Sequence, residues 1–229
     1  PSSTLGPSLV EETARQFLVN HLLPSDTERN TLPQYGNGTI AWLPILYELE
    51  RLRLPLKFSR LVGRGIEYSG SESIVTSSYD YYSTAFTNYV MKRGVHYASF
   101  KLINDAPIVG VARPFRNFDF ANEDEGFDMF EDRHFGNLLA QRTDAWVGNV
   151  HYCQYHCFRG TTDWTDLQGY NDDQEVFEEF DEGDTVGLLV DLNEGSLSVY
   201  KNGRKLGVAK DGLAGEYCFF SALCGGCEI

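Results

Sequence analysis

A chain of 229 residues that is 42% hydrophobic and 14% aromatic can bury a large core without disulfides or a structural metal, and it is too apolar to be disordered. A net charge of −14 argues against phosphate-rich partners, so neither nucleic acid nor an anionic membrane is expected. No apolar run reaches the roughly 18 residues that a membrane helix needs.

Two units are expected, a helical extension over residues 1–57 and a β domain over 58–229. Pro1–Gly6 reads as a lead-in. Ser8, followed by Glu11 and Glu12, starts a helix by offering its hydroxyl to first-turn amides. Val10, Ala14, Phe17, Leu18 and Leu22 then recur at helical spacing until Pro24 ends the run. Ser25–Gly38 reads as loop. Trp42–Leu54 is a second amphipathic helix, with Pro44 tolerated in its first turn and Leu46, Leu49 and Leu52 on one side. Helices this short need a further surface to cover their apolar sides.

From Phe58 onward the pattern changes to short runs rich in Val, Ile, Thr, Tyr and Phe, punctuated by Gly, Asn and Asp, which predicts an all-β domain. The expected strands are Ser59–Tyr68, Ser73–Ser77, Ser83–Tyr89, His96–Ile103, Ile108–Ala112, Ala145–Phe158, Asp184–Asp191, Ser196–Lys201, Lys205–Ala209 and Glu216–Cys224. Two long connections, 113–142 and 159–183, break the rhythm and hold about half of the chain's 33 acidic residues. Long connections in a compact domain tend to carry function.

The stretch from Gly183 to Ala209 fixes its own register. Asn202-Gly203 predicts a type I′ hairpin, since both central residues of that turn need positive φ. A two-residue loop there sets Lys201 opposite Arg204, Val199 opposite Leu206 and Leu197 opposite Val208. A four-residue loop over Leu192–Gly195 sets Val190 beside Leu197 and Leu188 beside Val199; a three-residue loop would oppose Asp191 to Leu197. The four-residue loop is therefore expected, and the apolar rows it creates require a second layer.

The order Gly-Asp-Thr-Val-Gly, an apolar strand ending in Asp191, then Lys-Asn-Gly and a further strand resembles the SPRY domain. The likeness includes Arg93-Gly-Val-His-Tyr-Ala-Ser-Phe-Lys, with Ala98 where that family usually has Trp, and continues through Val109-Gly-Val-Ala-Arg-Pro, Ala145-Trp-Val-Gly and Leu213–Leu223. It implies an all-β, two-sheet antiparallel sandwich of concanavalin-like architecture. It also implies a non-catalytic module that binds proteins through loops at one end, of the kind that selects substrates for a ubiquitin ligase or scaffolds a signalling complex. The alternative is a carbohydrate-binding or carbohydrate-processing sandwich of the same architecture.

Neither acidic connection satisfies an EF-hand: Gly126 in the sixth position puts Ala121 in the first, and Gly183 there puts Phe180 in the third. Cys224-Gly-Gly-Cys227 has zinc-ligand spacing, but Cys153 and Cys157 lie about 13 Å apart along one strand face and cannot both reach one tetrahedral ion. His156 falls on the opposite face. No nucleophile motif such as Gly-x-Ser-x-Gly is present, and no acid pair stands out. Neither cofactor nor metal is expected.

The five cysteines are an odd number with no disulfide framework, which points to reduced thiols and an intracellular setting. Beginning at Pro1 and stopping at Ile229 within a strand-like pattern, the sequence reads as part of a longer protein.

Aromatic residues in predicted loops locate the expected partner surface, because Tyr, Trp and Arg give large contact area at low entropic cost. The candidates are Tyr79, Asp80, Tyr82, Arg113, Pro114, Tyr155 and Trp164, with Phe115, Phe118 and Phe120 as further loop aromatics. The surrounding acid, Asp172–Glu182 included, favours a basic or neutral peptide.

Overall fold

The computed structural model describes residues 8–21, 42–105, 107–115, 126–173 and 176–229. The lead-in expected at Pro1–Gly6, the loop at Ser25–Gly38, and Phe118 and Phe120 lie outside the described residues. The chain divides into two compact units, residues 1–55 and 56–229.

In the first unit, α1 (Leu9–His21) starts where the Ser8 hydroxyl accepts from the Glu11 amide at 3.3 Å. A second helix, α2 (Trp42–Arg53), packs on it through Leu18 and Leu49, with Trp42, Ile45, Leu46 and Leu52 around them. Glu11 also binds the first amides of α2, those of Trp42 and Leu43, and so places a carboxylate at a helix N-terminus. The helical spacing is as expected, but Val10 and Phe17 are exposed, because the contact between two short helices covers only a narrow stripe of each.

The second unit is built on antiparallel strands. Its larger sheet runs β1 (Phe58–Val62), β4 (Ser83–Thr87), β13 (Cys218–Leu223), β6 (Ile108–Ala112), β7 (Tyr152–His156), β8 (Thr161–Thr165) and β9 (Tyr170–Asp173). The smaller sheet has four strands in the order β12 (Arg204–Asp211), β11 (Ser196–Lys201), β10 (Thr185–Asp191) and β5 (Val95–Lys101). A short ribbon pairs β2 (Ile66–Tyr68) with β3 (Val75–Ser77).

Inward residues of the two sheets, among them Val109, Val111, Cys153, Phe219, Ala98, Val186, Leu188, Val190, Leu197 and Val199, form one core. A second core covers the opposite face of the larger sheet: Ile108, Tyr152 and Phe220 meet Phe127, Met129, Phe130 and the helix α3 (Asp132–Leu139), which contributes Phe135 and Leu138. Covered on both faces, β6 and β13 are buried along their whole length. Such strands read as continuous apolar runs rather than alternating ones.

Several sequence expectations need correction. The strand expected over Ser59–Tyr68 is two, divided by a turn around Gly63–Gly65. That expected over Ala145–Phe158 shortens to β7, because Trp146 turns down into the second core. The connection 159–183 contains β8 and β9, and 113–142 contains α3. Acidic residues disguised them. Thr161, Thr162, Trp164 and Thr165 are nonetheless good strand formers, and Phe135 and Leu138 lie one helical turn apart.

The hairpin register is half as expected. Lys201 faces Arg204, and both turn residues have positive φ, 51° at Asn202 and 81° at Gly203. The four-residue loop also stands, with Val190 opposite Leu197 and Leu188 opposite Val199. Beyond the turn, however, two bulges shift the pairing, so that Val199 faces Gly207 and Leu197 faces Lys210. The Phe177 ring occupies the space at Gly207, where a Cβ would come within 2.4 Å of it. The bulges turn Ala209 inward and leave Val208 38% exposed.

Gly203 has open space around it, so Gly203→Val tests the turn conformation without steric interference. The substitution should cost about 1–3 kcal/mol through backbone strain alone, read as a lower urea midpoint. An unchanged midpoint would refute the type I′ turn.

Candidate binding groove

The loop Ser78–Tyr82 joins β3 to β4 and is held from two sides. The Ser78 amide donates to the Gly65 carbonyl at 2.9 Å, and the Gly225 amide donates to the Tyr79 carbonyl at 2.7 Å. Tyr79 stacks obliquely on Tyr81, 5.5 Å between centroids, and the Arg64 guanidinium lies 5.2 Å over the Tyr79 ring. Tyr81 remains 67% exposed. Against this loop lies the segment that carries the second core: the Thr84 hydroxyl donates to the Phe127 carbonyl at 2.8 Å.

Between loop and segment is a groove of about 790 Å³, lined by Tyr79, Asp80, Tyr81 and Tyr82 on one side and by Asp128, Glu131, Asp132 and Arg133 on the other. Among the described residues, four carboxylates against one guanidinium make it strongly acidic. Arg133 is already turned onto Glu131. Burial raises the Asp128 carboxyl above its usual range, opposed by the Phe130 amide, which donates to it at 2.9 Å. Burial also raises the Tyr82 phenol, and the neighbouring Cys224 thiol adds to the shift.

The expected site residues do not converge on one surface. Tyr79, Asp80 and Tyr82 line the groove. Pro114 lies at the opposite ends of the same strands, in a separate cavity of about 270 Å³ with Arg60, Phe86, Asn88, Phe115 and Cys218. The register makes this separation explicit: Ser83 faces Leu223 at one end, and Ala112 faces Cys218 at the other.

Arg113 is 0% exposed, which removes it from any docking surface. Its guanidinium donates to the Ala214 carbonyl at 2.6 Å, to the Glu216 carbonyl at 3.1 Å and to the Val147 carbonyl, and it lies 4.2 Å over the Tyr217 ring. Tyr155 is likewise fully buried between the sheets, its hydroxyl donating to the Glu178 carbonyl at 2.6 Å. Trp164 sits on β8 rather than in a loop, half-buried under the Lys210 ammonium at 4.3 Å, and does not line the groove.

Sequence reasoning missed Asp128, Glu131, Asp132 and Arg133 as groove residues. The available signal was the amphipathic Asp132–Leu139 stretch, which seats the acidic segment on the sheet. Asp119, Glu123, Asp124, Glu125 and Glu175 lie outside the described residues, as do Asp172 and Asp173 beyond their backbone.

Cys153 and Cys157 face the core between the sheets and Cys218 faces the second core, whereas Cys224 and Cys227 lie in a turn beside β3, with Cys227 at the edge of the first core. Burial raises the Cys157 thiol, and the Cys218 thiol to about 12. His156 is on the opposite face, 2.6 Å from Asp163. Among the described residues, no three His, Cys, Asp or Glu side chains converge as a metal site would require. No described helix is long and apolar enough to cross a membrane.

The fold has solved counterparts. The SPRY domain of human HERC1 aligns with a TM-score of 0.50 at 14% identity, over 76% of this chain and 94% of that domain. The PSpry domain of TRIM65 aligns with a TM-score of 0.53 at 12% identity, over 85% of this chain and 97% of that one. The carbohydrate-binding module CBM66 of Bacillus subtilis aligns at 0.44 with 6% identity, over 75% and 92% respectively, too loosely to bear on function. No family model and no curated protein matches the chain.

Proposed function

The fold of this chain is SPRY-like, and from it and from the groove we propose a non-catalytic module that binds a peptide segment of a protein partner. The groove between the Tyr79–Tyr82 loop and the Asp128–Arg133 segment is the site. The observation that carries this reading is the coincidence of three tyrosines with four carboxylates around one cavity large enough for several side chains. The exposed Tyr81 ring and its neighbour Tyr79 offer flat contact area at small entropic cost. The carboxylates select Arg or Lys in the partner, because an acidic peptide would bring like charges together in a partly desolvated space. Arg is the better fit, since its planar fork can engage one carboxylate in two places while stacking on a tyrosine. Such a module serves as the recognition part of a larger intracellular assembly, for example in substrate selection for a ubiquitin ligase.

Selection of a random peptide display library on the purified chain tests this directly. Enriched peptides should carry Arg or Lys, and Tyr79→Ala and Tyr81→Ala should each weaken a selected peptide by about 1–3 kcal/mol. Asp80→Lys should abolish the preference for basic residues while leaving the melting temperature unchanged. Enrichment of acidic peptides, or equal binding by all three variants, would overturn the assignment. A glycan array that returned a specific sugar in place of any peptide would favour the carbohydrate alternative.

A further inference from the structure

Cys224-Gly-Gly-Cys227 is a tight turn with a thiol at each end. The Cys227 amide donates to the Cys224 carbonyl at 3.0 Å, and the two glycines have φ of 56° and 93°, values that cost glycine little. A hydrogen bond of this kind holds the two outer Cα atoms within about 7 Å, and a disulfide spans Cα atoms roughly 4.4–6.8 Å apart. The two thiols are close enough that each is the largest influence on the other's proton.

The surroundings hold the turn in this shape. The Gly226 amide donates to the Ser77 carbonyl at 2.8 Å, and the Cys227 carbonyl accepts from the Ser77 amide at 3.0 Å and from the Thr76 hydroxyl at 3.2 Å. Closing a bond across it therefore orders no additional chain.

The two thiols are not equivalent. Cys224 is half-buried, whereas Cys153, Cys157, Cys218 and Cys227 are buried. The neighbouring Cys227 thiol lowers the pKa of Cys224; burial opposes this, the Tyr82 hydroxyl assists it, and Asp105 and Asp80 oppose it. The Cys224 thiol, followed by burial, raises Cys227. Cys224 is thus the accessible nucleophile and Cys227 the protonated partner behind it.

We propose that Cys224 and Cys227 are a reversible two-electron oxidation site, with hydrogen peroxide as the oxidant. The Cys224 thiolate attacks one peroxide oxygen and the O–O bond breaks. Cys224 becomes a sulfenic acid, and the departing hydroxide takes up a proton as water. The Cys227 sulfur then attacks the Cys224 sulfur; the S–O bond breaks, the S–S bond forms, and the hydroxyl leaves with the Cys227 proton as a second water. Two thiols lose two electrons and one peroxide gains them. A dithiol reverses the bond by exchange. Oxidation also removes the Cys224 thiol that neighbours Tyr82 at the edge of the groove, yet the chemistry at the turn needs no peptide in that groove.

The test is mass spectrometry of the full chain treated with equimolar peroxide. The expected product is lighter by two hydrogens, returns to the starting mass with dithiothreitol, and maps to a bond between Cys224 and Cys227. Cys227→Ser should stop at a sulfenic acid that dimedone labels on Cys224. Cys224→Ser should give no oxidised product under the same conditions, and Cys218→Ser should behave as the wild type. No loss of mass, a bond to any other cysteine, or a product that persists in Cys224→Ser would each overturn the proposal.

Discussion

Arg113→Ala should leave the β unit unfolded or destabilise it by about 4 kcal/mol or more, because it strands several carbonyls at once, each costing roughly 1–3 kcal/mol when buried and unsatisfied. The Ala214, Glu216 and Val147 carbonyls all accept from this one guanidinium. Its Nε adds a long contact of 3.4 Å to His151 Nδ1, and the Tyr217 ring covers its face. Burial lowers the pKa of the guanidinium, with Tyr217 and Tyr152 opposing the shift, but an arginine stays charged throughout. The residue thus closes the ends of three segments by supplying donors where no strand pairing reaches. Arg113→Lys should recover little of the loss, since one ammonium cannot reproduce the planar fork. Urea denaturation measures both variants. An Arg113→Ala chain with wild-type stability would return the side chain to the surface and contradict the burial described above.

A second large effect is expected with pH. His151 is buried beside that guanidinium, its ring tilted against Trp146 at 5.4 Å between centroids. Burial, then the nearby charges of Arg113 and Arg142, lower its pKa from 6.5 to about 4. Between these values the imidazole is neutral in the folded chain and protonated in the unfolded one, so unfolding takes up a proton. The stabilisation is complete above about pH 6.5 and is lost as the pH falls towards 4, amounting to about 3 kcal/mol at roughly 1.4 kcal/mol per pKa unit. His96 and His134, whose pKa values burial also lowers from 6.5, add to the slope in this window. Asp184, held at about 2 by the Asp181 amide, Asn202 and Lys201, contributes fully above its unfolded value of 3.8 and loses that contribution only below it. His151→Gln keeps an acceptor for Arg113 and removes the titration. Urea stability from pH 7 to 4 should therefore fall less steeply in the variant; identical slopes would show that His151 is not held neutral by its surroundings.

Much of the fold is legible without coordinates, wherever neighbouring residues settle the geometry. Asn202-Gly203 specifies its turn because positive φ is a property of those two residues. The loop at 192–195 is decided by the rows of Leu188, Val190, Leu197 and Val199, which any other length would misalign. Ser8 caps its helix through residues three positions away. Tyr79-Asp80-Tyr81-Tyr82 stands out by composition as an aromatic loop, and all four residues line one groove. The opposite wall was harder to see. Asp128, Glu131 and Asp132 read as solvated acid because nothing adjacent says that Phe127, Met129 and Phe135 seat that segment on the sheet.

Arg113 and Tyr155 show where the sequence alone stops. Each has the chemistry of a binding residue, and each is buried by partners remote along the chain, with Ala214 lying 101 positions from Arg113 and Glu178 lying 23 from Tyr155. The bulges in β12 have the same origin, since Phe177 sets the space available at Gly207. Local patterns determine backbone conformation and the face on which a side chain emerges. Whether that face meets water depends on which distant segment folds over it, and only the tertiary structure decides that.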